Sequence, residues 1–496
     1  MTTGDHETES GQARDNALRR CAERGVLIPT FEQMRSPELA PKAVQEALAP
    51  VDMQALDPLN LFRITWHNDP ESGGFGPVGR LEIPSELSGV RARIVGLLGK
   101  HFPTEAHKVG AAFGCLVPRL VRGELDPTRQ RAVWPSTGNY CRGGAFDSAL
   151  LGCRAVAILP EEMSPERFRW LESIGADIVA TPGCESNVKE IFDACWQIRR
   201  ERPDDVIFNQ FEEMGNYLWH RSVTGPAVES VFQGLAGPGD RLAGWVSATG
   251  SAGTLGAGDH VKAISPGAVI TAAEALQCST LLNNGYGGHR IEGIGDKHVP
   301  WIHNVRNTDV VTAIDDAATM ALMRLFNEPA GHDYLVSRGF DEGLVGSLPL
   351  LGISSICNLL AAIKTARYYE MDEHDVLFTV FTDSVDLYRS RLQALQAEGP
   401  YTETQAAVDY ARYLQGCTVD HLRELRYPER KALHHLKYFT WVEQQGRTAE
   451  ELDALWSPSY WQDLAQSVSG LDDEIRRFNQ DSGVESRYSQ SSEVPS

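Results

Sequence analysis

Between Val78 and about Arg391, short runs rich in apolar and β-branched residues alternate with longer amphipathic stretches. The runs are ARIVGLL, RAVW, CRAVAILP, ADIVATP, DVIFNQF, AGWVSAT, AVITAAE and DVLFTVFT. Each is four to eight residues long and nearly continuous in its apolar character. That is how a strand buried on both faces reads, and the helix-length segments between such strands predict parallel pairing. The pattern predicts an α/β fold with parallel-rich sheets covered by helices. Outside this region the pattern changes. Residues 1–75 are heterogeneous, with one expected helix from Ser36 to Ala49, and close on the turn-rich DPESGGFGP. Residues 392–480 read as aromatic-bearing helices, and residues 481–496 as a polar, disordered tail. No internal repeat is visible.

Composition narrows the class. The chain has 496 residues, 42% of them hydrophobic and 23% charged, which is the balance of a globular protein with a sizeable core. No run of 18 apolar residues is present, so a membrane span is not expected. The first thirty residues lack the apolar stretch of a secretory signal, which makes a cytoplasmic location the expectation. Nine scattered cysteines without a C-x-x-C pair argue against a disulfide framework or a zinc ribbon. The net charge of −21 repels nucleic acid and anionic membranes, so an anionic ligand needs a local site.

Two turns at strand ends offer such a site. PSTGNYCRGGA (135–145) follows the apolar Ala132-Val133-Trp134 and opens into a helix, where unpaired backbone N–H groups and the helix dipole favour an anion. Ser136 or Thr137 acting only as a helix cap is the alternative. SATGSAGTLGAG (247–258) follows Ala243–Val246, and its glycines let amides converge on a phosphate. Glu274, about 20 residues on, leaves a dinucleotide loop open, although the spacing is not G-x-G-x-x-G. Lys108, in HFPTEAHKVGAAFGCL, starts an expected helix of small residues. Proximity to a helix N-terminus disfavours its charge and favours a nucleophilic amine; a solvated surface lysine is the other reading.

Taken in order, these segments resemble the β-family, or fold type II, of pyridoxal-phosphate enzymes, which includes O-acetylserine sulfhydrylase and cystathionine β-synthase. TEAHKVGAA matches the segment of the Schiff-base lysine, and PSTGNYCRGGA matches the substrate loop T-S-G-N-T-G. Gln210-Phe211, the G-T-G-G-T-like Gly250-Ser251-Ala252-Gly253-Thr254, HRIEGIG and GISSICNLLAAIKTA match later segments. The resemblance runs from about Gly76 to Asp383. It implies a two-domain core over 76–391, with a smaller subdomain over about 128–225 and extensions on both sides.

It also implies pyridoxal 5'-phosphate as cofactor, carried by Lys108 as catalytic residue. Asn139 would meet the cofactor's phenolic oxygen, Gly250, Ser251, Ala252, Gly253 and Thr254 its phosphate, and Ser354 its ring nitrogen. Ser136, Thr137, Gly138, Tyr140 and Gln210 would hold the amino-acid substrate. The implied activity is β-replacement on a serine-derived amino acid through an aminoacrylate intermediate, by a likeness to cysteine synthases. Net β-elimination, as in a dehydratase or β-lyase, is the alternative, and a non-catalytic cofactor-binding regulator is one of another class. The implied assembly is a homodimer.

Several positions depart from the pattern. Ser136 and Thr137 are swapped relative to the sulfhydrylases, Tyr140 replaces a small Thr, and Ile356 replaces a glycine. His289, His298 and His303 lack metal-ligand spacing, and no metal is expected from them. GYGGHRIEGIGDKHVPWIHN is expected to move over the substrate.

Overall fold

The computed structural model describes residues 3–136, 138–183, 187–295 and 297–489. In chain order the strands are β1 (Arg80–Ile83), β2 (Arg93–Leu98), β3 (Arg131–Pro135), β4 (Arg154–Pro160), β5 (Asp177–Thr181), β6 (Val206–Ile207), β7 (Arg241–Ala248), β8 (Val269–Ala275), β9 (Val310–Ile314), β10 (Asp375–Phe381) and β11 (Leu422–Glu424). They form a seven-stranded sheet in the order β1-β2-β10-β7-β8-β9-β11 and a four-stranded sheet in the order β5-β4-β3-β6. The inner pairings are parallel. Only the edge strands β1 and β11 run antiparallel to their neighbours.

Every strand expected from the apolar runs is present. Three more were not marked by the sequence. Strand β9 is the short, fully buried VVTAI, while β1 and β11 sit at sheet edges and are too polar to read as buried strands.

The helices that matter for the site are α1 (Thr3–Arg24), α2 (Lys108–Val121), α3 (Asn139–Leu151), α4 (Pro165–Ser173), α5 (Leu255–Ile264), α6 (Ile353–Tyr368), α7 (Tyr427–Lys437) and α8 (Pro458–Ser482). Helix α6 is buried along nearly its whole length, against β10 and β7. No single helix among the described residues is long and apolar enough to cross a membrane. Glu342–Leu350 with α6 pass such a test together, but they are bent by 115° at the break.

The two ends of the chain differ from expectation. Residues 1–75 carry the 22-residue α1, which the sequence did not mark because its pattern is largely polar; its Ala17 and Cys21 are nonetheless fully buried. The helix expected over Ser36–Ala49 is confined to Lys42–Leu48, with Pro37 in a separate 3₁₀ turn and Pro41 at the helix start. The expected disorder from residue 481 is corrected as far as Ser489. Helix α8 continues to Ser482 and a short helix spans Glu485–Ser489. Between them Val484 is buried in a small core with Leu27, Val44, Leu48 and Phe62. The two ends are also tied by hydrogen bonds. Asp472 accepts the amides of Phe31 and Glu32 at 2.7 and 3.1 Å, and Asn479 bonds both the N–H and the C=O of Ile28.

Candidate active site

Lys108 begins α2, immediately after a turn in which Thr104 and Glu105 both hold left-handed backbone (φ 64° and 58°). Two successive non-glycine residues there are strained, and such strain clusters at functional sites. The turn delivers the lysine into the space between the two sheets. Its Nζ donates to Ser251 Oγ at 3.0 Å and lies 3.5 Å from Gln210 Oε1. His107, just before it, is fully buried, and burial together with the Lys108 charge pushes its imidazole down to about 3. His107 is therefore neutral at ordinary pH.

The turn Gly250–Thr254 joins β7 to α5. Among the described residues, the amides of Gly250, Ser251, Ala252, Gly253 and Thr254 find no acceptor, and Ala252 has left-handed φ of 65°. Five unsatisfied N–H groups at the start of a ten-residue helix make a concave donor set of the kind that binds phosphate. The turn is braced from inside. Trp245 Nε1 donates to Thr254 O at 3.0 Å, and the hydroxyls of Ser247 and Thr254 meet at 2.5 Å. Gly253 is required by packing, since a Cβ there would lie 1.9 Å from Asn216 Oδ1. Asn216 in turn donates to Ser251 Oγ (2.9 Å) and Gln210 O (3.0 Å). Ser251 thus contributes its hydroxyl as well as its amide.

Across Lys108, the turn 136–140 joins β3 to α3. Thr137 lies outside the described residues. Ser136 Oγ accepts the amide of Gly138 at 3.0 Å. Gly138 sits at φ 156°, with the Arg167 guanidinium 2.5 Å from where its Cβ would be, so no other residue fits without displacing that side chain. Asn139, 5% exposed, donates through Nδ2 to Asp383 Oδ2 at 2.6 Å, and its Oδ1 has no partner. Tyr140 is buried, its ring edge-on to Trp134 and its hydroxyl beside Cys115. Gly143 on α3 packs against the Lys108–Val109 backbone, which brings the substrate turn and the lysine together.

Ser354, in the first turn of α6, is 2% exposed and its Oγ has no partner; it faces Gly293. One small cavity, about 20 Å³, is lined by Lys108, Ser136, Asn139, Tyr140, Gln210 and Ser251 among others. Ser354, Ala252, Gly253 and Thr254 do not line it. Lys108 and Ser251, which are hydrogen-bonded to each other, both line this cavity.

Other residues singled out by the sequence take different places. Glu274 accepts the amides of Leu281 and Leu282 at 2.9 and 2.8 Å, so it caps a short helix and is not poised for a ribose. The three histidines do not converge. His289 packs behind Gly295, His298 lies among Phe192, Phe211 and Trp441, and His303 bonds Thr308 Oγ1 at 2.8 Å. Burial lowers them to about 4, 3 and 3 respectively.

Sequence reasoning missed Asn216, Arg167, Glu292 and Asp383. Arg167 pairs with Glu292 at 2.9 Å with both side chains almost fully buried, and Arg391 also pairs with Glu292. Arg167 donates to Tyr388 OH at 3.1 Å, and Tyr388 donates to Asp383 Oδ2 at 2.6 Å. Burial pushes the Asp383 carboxyl up, while the Tyr388 and Asn139 hydrogen bonds and the Arg167 and Arg142 charges oppose that rise. A carboxylate directly after the apolar strand DVLFTVFT was the available signal.

These residues suit a group carrying an aldehyde, a phosphate and an aromatic nitrogen. The half-buried Lys108 amine stands between five unsatisfied amides on one side and, on the other, Asn139, whose Nδ2 keeps a second N–H beside the one given to Asp383, and the buried Ser354 Oγ, which has no partner among the described residues. Comparison with known proteins agrees. Residues 77–332, just over half the chain, match the family of pyridoxal-phosphate dependent enzymes, and the chain belongs to that family. It is a pyridoxal-phosphate-dependent enzyme of fold type II.

Among curated relatives, it is 26% identical to a probable cysteine synthase of Bacillus subtilis, over 56% of this chain and 83% of that protein. It is 29% identical to a cysteine synthase of Staphylococcus aureus, over 54% and 78%. It is 26% identical to the cystathionine beta-synthase of Saccharomyces cerevisiae, over 66% and 62%. Among solved structures, O-acetylserine sulfhydrylase isoform 3 from Entamoeba histolytica shares the fold with a TM-score of 0.54 at 21% identity, covering 66% of this chain and 92% of that one.

Proposed function

We propose that the chain catalyses β-replacement on a serine-derived amino acid, with Lys108 carrying pyridoxal phosphate. The observation that supports this most directly is the placement of the Lys108 amine, 3.0 Å from Ser251 Oγ, at the edge of the Gly250–Thr254 amides. The relatives named as cysteine synthases and cystathionine beta-synthase favour the same chemistry.

When bound, the cofactor supplies an electron sink for charge developed at the substrate's α-carbon. The chain supplies the rest. The amides of Gly250 to Thr254 and the dipole of α5 hold the phosphate. Asn139 and Ser354 face the phenolic oxygen and the ring nitrogen. Ser136, Thr137, Gly138 and the start of α3 receive the substrate carboxylate, with Gln210 beside it and Tyr140 forming an apolar wall. Lys108, which would hold the cofactor, would also be the base whose amine takes the substrate's α-proton. A hydroxyl at Ser354, in place of a carboxylate, would donate a hydrogen bond to the ring nitrogen without protonating it, and the cofactor would then supply a weaker electron sink. The reading includes residues 76–391 as catalytic core and a cytoplasmic homodimer.

Borohydride reduction followed by peptide mapping is expected to place the pyridoxyl group on the HKVGAAF peptide. Lys108→Ala is expected to lose turnover by about 10³-fold or more. A label on another lysine, or full activity in Lys108→Ala, overturns the assignment. A panel of O-acetylserine, O-phosphoserine, serine, threonine and cysteine, each with and without sulfide, separates replacement from elimination. Keto acid formed at the same rate with and without sulfide would refute replacement.

A further inference from the structure

We propose that Asp383 is a positioning residue that fixes which end of the Asn139 amide faces the cofactor; this rests on the pyridoxal-phosphate reading of the site. The two ends of an asparagine amide are nearly the same shape, and only their partners decide which is nitrogen. Here one partner is a carboxylate, which as an anion can only accept. Asp383 Oδ2 lies 2.6 Å from Asn139 Nδ2, so that end is the donor. The second N–H of the same nitrogen is then available to a phenolic oxygen.

The carboxylate is itself held in place. Tyr388 OH donates to the same Oδ2 at 2.6 Å, and Arg167 fixes Tyr388 at 3.1 Å. The Asp383 carbonyl accepts the amide of Gly352 at 2.9 Å and the hydroxyl of Ser355 at 3.3 Å, which ties the residue to the start of α6 beside Ser354. A Cβ at Gly352 would lie 2.0 Å from Asp383 Oδ1, so the backbone closes that side. Asp383 and Tyr388 are both fully buried, and neither lines the cavity. Asp383 therefore acts on the cofactor through Asn139.

The test is a double-mutant cycle in the full-length holoenzyme, reading cofactor retention on dilution and the visible absorption band of the lysine-bound cofactor. Asp383→Ala is expected to weaken retention about tenfold, the scale of one charge-assisted hydrogen bond, and to shift the band. In an Asn139→Ala background the same substitution is expected to change neither readout, because the amide it orients is gone. Tyr388→Phe, which removes the other donor to Oδ2, is expected to lower thermal stability while leaving the band in place.

If Asp383→Ala does not fold, Asp383→Asn takes its place in the cycle with the same expectation of non-additivity. Additive effects in the two backgrounds, or a wild-type band in the Asp383 variant, overturn the inference. Wild-type protein that gives no pyridoxyl-Lys108 on borohydride reduction overturns the cofactor reading and this inference with it. Labelled wild type with an additive cycle overturns this inference alone.

Discussion

The two turns facing each other across Lys108 are built in opposite ways. Gly250–Thr254 is supported chiefly by Trp245 and Ser247 of the strand that leads into it, with Asn216 from farther along the chain, and it offers backbone amides. The turn 136–140 is supported from afar. Asn139 rests on Asp383, and Gly138 rests on Arg167, whose own partners are Glu292 and Tyr388. A donor set made of backbone needs only the right chain path, so its sequence requirements are small residues nearby. A turn that presents side chains needs each one held, and the groups that hold them come from distant parts of the chain. The first kind of turn should be sensitive to volume, and the second to charge and hydrogen-bond chemistry tens to hundreds of residues away.

The largest effect is expected at the remote support. Arg167→Met leaves Glu292 buried with only Arg391 as a cation, and removing one member of a buried pair costs about 3 kcal/mol or more. Chemical denaturation of the apoprotein measures this. A loss under about 1 kcal/mol would mean that the substrate turn does not depend on that pair.

Next comes the local turn, where Gly253→Ala is expected to cost about 2 kcal/mol through overpacking on Asn216. Adding Asn216→Ala to Gly253→Ala is expected to recover part of the stability and of the cofactor affinity. If the double variant binds cofactor no better than Gly253→Ala, the crowding is against the phosphate rather than against Asn216.

A third prediction concerns another distant support of the substrate side. Lys437 on α7 is fully buried and donates to Trp301 O and His303 O at 2.8 and 2.7 Å, while Ile302 N–H bonds Phe211 O. Burial pushes its amine down to about 7, so the unfolded chain binds more protons than the folded one between pH 7 and the ordinary lysine value of 10.5. Stability from this group accordingly rises with pH across that window. Urea titrations at several pH values are expected to show wild type gaining on Lys437→Met from pH 7 upward. A difference that is flat with pH would show that burial does not disfavour the charged form of this amine.

The smallest effect is expected for Ser247→Ala, about 1 kcal/mol for the lost hydroxyl contact to Thr254, with cofactor retention within about threefold of wild type. A large loss of retention would make the cradle depend on side-chain chemistry and blur the contrast between the turns.

Much of this contrast tracks what is legible in one dimension. The apolar runs located the inner strands of both sheets except β9, since continuous burial on two faces leaves an unbroken apolar stretch. The glycine- and hydroxyl-rich turns and Lys108 could be read as well, because backbone donor sites and a helix-start lysine are local patterns. Only the tertiary structure assigned Glu274 to a helix cap, carried order through to Ser489, and brought Arg167, Glu292, Tyr388 and Asp383 around Asn139. Asp383 lies 244 residues from Asn139, and its partner Tyr388 is 221 residues from Arg167. No periodicity records such a pairing. A charged residue in a sequence shows only that it needs a partner if buried, and the path of the chain decides both whether it is buried and which partner it meets.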